Sequence, residues 1–170
     1  PITYSGVTAN SITGIPASII PWALSSASRP PSIFTASHAA SFIKRPAFLT
    51  ASSGTGLQEA AIRNFVDKRV LSVVNGAFAD RWYEVAVSNV KQVEKLAFEW
   101  DTPASPERIA DAVRAGGFEV LTVVHNETST GMQNPVKEIA EAVRAVAPET
   151  LILVDAVSSL AGAKIEMDAW

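Results

Sequence analysis

From Pro46 onward, short continuously apolar runs alternate with segments whose apolar positions recur at helical spacing. "PAFLT" (46–50) predicts a first strand, and "LQEAAIRNFVDK" (57–68) a helix with Leu57, Ala60, Ala61, Phe65 and, at its margin, Asn64 on one face. "VLSVVN" (70–75) predicts a strand, followed by a helix from near Ala79 in "FADRWYEVAVS". "EKLAFEW" (94–100) reads as a strand, and "SPERIADAVRAGG" (105–117) as a helix with Ser105 as N-cap, Pro106 in its first position and Gly116 closing it. "EVLTVVH" (119–125), "NPVKEIAEAVRAVAP" (134–148) and "TLILVD" (150–155) continue the series as strand, helix and strand. "LTVV" and "LILV" are apolar without alternation, which argues for strands buried on both faces. The expected fold is therefore α/β: three layers, a mostly parallel sheet with helices on both faces.

Residues 1–45 break this pattern. They show no sustained period, carry punctuating segments such as "RPP", and contain Arg29, Lys44 and Arg45 but no acid, whereas all 17 acidic residues lie in 46–170. The expected organisation is an irregular N-terminal segment over 1–45 and one α/β domain over 46–170. The first segment is either an arm that wraps a partner subunit or a poorly ordered terminus.

Composition removes several classes of function. The net charge is -3 and no stretch concentrates Lys and Arg, so the electrostatic footprint of a nucleic-acid binder is missing. With no cysteine, and with His38 and His125 far apart, no zinc or other metal site is expected. "IPASIIPWAL" (15–24) is interrupted by Pro16 and Pro21 and falls short of the roughly 20 residues that span a bilayer. It lacks a basic lead-in and a small-residue cleavage site, so the expected location is the cytoplasm.

In a parallel sheet, ligands bind beyond the carboxyl ends of the strands, a rule that selects "SSGTG" (52–56), "NGAF" (75–78), "HNETSTG" (125–131) and "DAVSS" (155–159). "SSGTG" offers two glycines, hydroxyls and free N–H groups at a helix start, the chemistry of an anion cradle, though it is neither a dinucleotide fingerprint nor a phosphate loop. Phe78 is read either as core or as a face for a planar ligand. His125 and Glu127 are each read either as a base or as a structural residue, His125 as a hydrogen-bonder and Glu127 as a loop or helix-capping acid. Asp155, closing an aliphatic run, is a surface acid or a charge held at the sheet's mouth for a partner.

Taken in order, "SSGTG", "NGAF", "HNETSTG" and "VDAVSSLAG" resemble the cofactor domain of the class V (fold type I) pyridoxal-phosphate-dependent aminotransferases, in particular the alanine–glyoxylate and serine–pyruvate group, over about residues 46–170. The resemblance implies pyridoxal 5'-phosphate as cofactor, a small amino acid and a 2-oxo acid as substrates, and a homodimer. It implies that Asp155 accepts a hydrogen bond from the protonated ring nitrogen, which makes the ring a better electron sink. A carboxylate about 4 Å from that charge is worth about 4 kcal/mol at an effective dielectric near 20, or roughly three pK units of the ring nitrogen. Phe78 and Val157 match the residues on the two ring faces, with Phe78 standing where many relatives have Trp. Ser53, Gly54, Thr55 and Gly56 match the phosphate-side turn, and Thr128 a hydroxyl that contacts the cofactor.

One departure accompanies the match. The family's cofactor-bearing lysine lies in a Ser-x-Gln-Lys segment beyond the aspartate, and no such segment occurs in these 170 residues. Lys164, in "GAKIEM", has the wrong context and reads as a surface residue. The chain is thus expected to be the front part of the cofactor domain and inactive alone as a transaminase. A non-catalytic phosphate- or nucleotide-binding Rossmann-like module, a cysteine-desulfurase-type relative, and a segment without independent folding are the rival readings.

Overall fold

The computed structural model describes residues 34–35, 48–89 and 91–170, all within one compact unit, Ile33–Trp170. The reading of residues 1–45 lies outside the described residues except at Phe34–Thr35, which form a short strand, β1, within the segment expected to be irregular. β1 pairs antiparallel with β2 (Phe48–Leu49). Of the stretch 46–50 expected to be a strand, Phe48–Leu49 forms one, and it stands apart from the main sheet.

The chain then winds α1 (Gly54–Phe65), β3 (Arg69–Val74), α2 (Ala77–Ser88), β4 (Gln92–Ala97), α3 (Pro106–Gly116) and β5 (Val120–Val124). A small hairpin, β6 (Asn126–Glu127) and β7 (Met132–Gln133), precedes α4 (Val136–Val146) and β8 (Leu151–Asp155). The main sheet is all parallel in the order β4-β3-β5-β8, with Val70 facing both Val93 and Val120, and Leu121 facing Ile152. Strand side chains alternate between two cores, as the pleat requires. Leu71, Val73, Leu121 and Val123 pack with Ile109 and Val113 of α3 and Ile139 and Val143 of α4. Val70, Val74, Val120 and Val124 pack with Ile62 of α1 and Ala79, Trp82 and Ala86 of α2. Helices thus cover both faces, in the three layers expected from the pattern.

Local chemistry accounts for the helix ends. Ser105 Oγ accepts the N–H of Arg108, Pro106 opens α3, and the helix is closed by Gly117 in the left-handed region (φ 59), one residue beyond the expected stop at Gly116. Three further expectations shift. Gln92–Ala97 forms the strand expected at 94–100. α1 starts at Gly54 rather than near Leu57, so the glycine turn is itself the first helical turn, with Ser53 as N-cap. Its buried face carries Gln58 and Ile62 while Leu57 and Phe65 are exposed, because the helix is rotated by one residue, about 100°, to seat against α2 and the sheet.

β8 corrects another expectation. The apolar run predicts burial on both faces, yet Leu151 and Val154 are exposed and the rest is half-buried. β8 lies at the end of the strand order, with β5 on one side and no strand beyond it among the described residues. Ile152 reaches the α3/α4 core and Leu153 the α1/α2 core, so each face is only partly covered.

Candidate functional site

β3 leads to β4 on one side and the chain then returns through β5 to β8 on the other, so the winding direction changes between β3 and β5. Helices leave that point toward opposite faces, and in sheets of this kind the ligand crevice lies at the carboxyl ends of two such strands. Residues 75–78 and 125–129 meet there. Glu127 is completely buried, and its carboxylate accepts the N–H groups of Ala79 (3.0 Å) and Phe78 (3.4 Å) at the start of α2, together with Ser129 N (3.2 Å) and Ser129 Oγ (2.7 Å). Ser129 Oγ also accepts the N–H of Ala77 (3.0 Å). The acid caps the start of α2, the structural one of the readings open to it from sequence. A Cβ at residue 76 would lie 2.2 Å from Glu127 Cγ, so Gly76 is required by this close approach.

The N-terminus of α2 is therefore saturated by the protein, whereas that of α1 is not. Ser53 Oγ accepts Gly56 N (3.1 Å), the first turn holds no acid, and the N–H groups of Gly54 and Thr55 have no acceptor among the described residues. A Cβ on Gly54 would stand 3.3 Å from Val157 Cγ2, which places this turn against the loop after β8. Asp155 closes β8 on the same side. Its Oδ2 accepts Gln58 Nε2 at 2.6 Å and its Oδ1 accepts Val157 N at 2.9 Å. The structure thus brings together Ser53, Gly54, Thr55, Gly56, Asp155 and Val157.

Phe78 occupies the second position of α2 and is 46% exposed, so the core reading does not hold and its ring is open to a ligand. Val157 is 73% exposed. Thr128 is exposed in the β6–β7 turn, whose last residue, Gly131, takes the left-handed conformation (φ 72). His125 is buried: Gln133 Nε2 donates to its Nε2 (2.7 Å), leaving Nδ1 to donate to Ser159 Oγ (3.0 Å). Burial lowers its pKa below the ordinary histidine value, and both ring nitrogens are engaged, so it holds the loop after β8 in place. Lys164 is exposed and pairs with Glu166 at 2.9 Å.

Sequence reasoning missed two features. One is Gln58, a lone polar residue on a face misassigned by one position. The other is the buried amide pair beneath the crevice, where Asn75 Nδ2 donates to Asn134 Oδ1 (2.8 Å) and Asn134 Nδ2 to Val124 O (2.8 Å), while Ala104 N donates to Asn134 Oδ1 (2.9 Å). The sequence signal was an Asn immediately after an apolar strand, which matches a turn equally well.

A parallel sheet with a topological switch point, a glycine-rich helix start that leaves two N–H groups without an acceptor among the described residues, and a strand-end carboxylate define an α/β protein of the doubly covered parallel type. Comparison narrows the class: the Aminotransferase class-V family model matches residues 53–170, and the chain belongs to that family. It is 37% identical over 126 residues to an uncharacterized aminotransferase of Methanocaldococcus jannaschii, covering 72% of this chain and 32% of that protein. It is 34% identical over 128 residues to the serine–glyoxylate aminotransferase of Methylorubrum extorquens, again covering 72% and 32%. Among solved structures, it is similar to the alanine–glyoxylate aminotransferase of a Nostoc species, with a TM-score of 0.64 and 36% identity over 69% of this chain and 31% of that one. The layered parallel sheet is the fold type I arrangement of these enzymes. The chain spans about a third of the length of the relatives it matches.

Proposed function

We propose that these residues form the cofactor-side part of a pyridoxal 5'-phosphate-dependent aminotransferase that moves an amino group from a small amino acid, alanine or serine, to a 2-oxo acid, glyoxylate or pyruvate. The observation that carries the reading is the Asp155 carboxylate, joined through Gln58 to the same helix whose glycine turn presents unpaired N–H groups. The donor set suits the group. A phosphate needs N–H donors and no acid in the turn that offers them, which the start of α1 supplies, and a protonated pyridine needs a fixed anionic acceptor, which Asp155 supplies.

In this reading Ser53, Gly54, Thr55 and Gly56 bind the phosphate, and the helix dipole of α1 adds favourable charge. Phe78 and Val157 offer apolar surface to the two ring faces and Thr128 a hydroxyl. Asp155 holds the proton on the ring nitrogen. When bound, the cofactor takes up the electron pair released as a bond at the amino acid's alpha carbon breaks. The activities after which the Methylorubrum and Nostoc relatives are named support glyoxylate as an acceptor. We place the whole activity, and a homodimer, in a polypeptide of the relatives' length.

The test uses pyridoxamine 5'-phosphate, which has no aldehyde and cannot condense with surface lysines. The molecule is achiral, so an induced circular dichroism band reports a ring held in one orientation. Saturable induced dichroism that weakens in Asp155→Asn is expected. Absence of any such band at millimolar ligand would refute the assignment.

A further inference from the structure

Gln58 is 6% exposed, and its amide is divided: Nε2 donates to Asp155 Oδ2 at 2.6 Å, while Oε1 is buried with no donor among the described residues. A buried acceptor without a partner costs about 1–3 kcal/mol. The position lies on the face of α1 that also carries Ile62, beside the α1/α2 core, where an unbranched apolar side chain would fit at lower cost. An amide kept there against stability points to a task outside the core.

Its contacts identify the task. Asp155 Oδ1 is fixed by Val157 N and Oδ2 by Gln58 Nε2, so both ends of the carboxylate are tied. Each oxygen still has a free lone pair for a further donor. The backbone of Gln58 is itself anchored, because its carbonyl accepts Trp82 Nε1 from α2 at 3.3 Å. Gln58 also lies four residues after Gly54, so one rigid helical turn, about 6 Å long at 1.5 Å per residue, links the anion cradle to the carboxylate.

We propose that Gln58 is a positioning residue for Asp155, its Nε2 holding Oδ2 so that the carboxylate meets a protonated pyridine nitrogen in one orientation. The role rests on the assignment of Asp155 given above and adds to it a residue that sets the acceptor's direction. The amide keeps both hydrogens, and no proton is transferred to or from it.

The 170-residue chain is titrated with pyridoxamine 5'-phosphate carrying a 15N label in its ring, in wild type, Gln58→Met, Gln58→Leu and Asp155→Asn. Both apolar variants remove the orphan oxygen, so their urea midpoints are expected to equal or exceed that of wild type. Their affinity is expected to fall about tenfold, the loss of about 1.4 kcal/mol, and the ring 15N resonance at saturation to move toward the unprotonated position. A merely structural glutamine would do the reverse, lowering the midpoint and leaving the saturated resonance where it was. Unchanged affinity and resonance in both apolar variants, with Asp155→Asn impaired, would remove Gln58 from the site and leave Asp155 in it. Failure of the wild type to bind, or Asp155→Asn binding as wild type does, would overturn the assignment of Asp155 and this inference with it.

Discussion

Replacing Glu127 by Gln isolates the charge at the start of α2 while keeping the side chain's shape. Four donors converge on the carboxylate: Phe78 N, Ser129 N and Ser129 Oγ on Oε1, and Ala79 N on Oε2. A glutamine can place its oxygen among the first three, but its NH2 group then faces the N–H of Ala79, donor against donor. Weakening the charge-assisted bonds costs about 1 kcal/mol, the unmatched Ala79 N–H about 1–2 kcal/mol, and the lost helix-dipole interaction about 0.5–1 kcal/mol. The total is about 3 kcal/mol, which for a chain of this size lowers Tm by about 6–12 °C. The cost is large because Glu127 is fully buried and water cannot satisfy the groups left behind. Urea and thermal unfolding followed by far-ultraviolet circular dichroism measure it. A Glu127→Gln variant within 0.5 kcal/mol of wild type would show that the carboxylate's charge does not hold α2, and the account of Phe78's placement would fall with it.

Two further perturbations test the frame of the site. Burial lowers the pKa of His125, so the unfolded chain binds its proton at a higher pH than the folded one. Stability from this residue is full above the ordinary histidine value and is lost as pH falls below it toward the lowered folded-state value. The slope is at most about 1.4 kcal/mol per pH unit. Unfolding free energies measured across that range should flatten in His125→Asn, and an unchanged slope would contradict the assignment. Asn134→Ala strips partners from Asn75, Ala104 N and Val124 O in a buried setting. At about 1–3 kcal/mol for each unsatisfied group, an equilibrium denaturation loss of at least about 3 kcal/mol is expected, and a loss under 1 kcal/mol would show that the amide pair does not brace the crevice.

The sequence by itself determined what depends on neighbours along the chain. The Ser105 and Pro106 start of α3 and its glycine stop to within one residue, the apolar strands β3, β5 and β8, and the strand-helix alternation that implies a parallel sheet all rest on local chemistry. The four strand-end motifs were legible for the same reason, since their order and spacing are one-dimensional facts. Only the tertiary structure decided that α1 buries Gln58 and Ile62 instead of Leu57 and Phe65, because the apolar residues of α1 lie all around it and its neighbours choose the face. It likewise decided that β8 is the last strand of the sheet among the described residues, which no apolar run can reveal about its own sides. The site's decisive contacts are long-range: Gln58 meets Asp155 across 97 residues and Glu127 caps α2 across 48. A hydrogen bond fixes the direction of two groups in space, and two segments so distant along the chain acquire a common direction only once the sheet between them has formed.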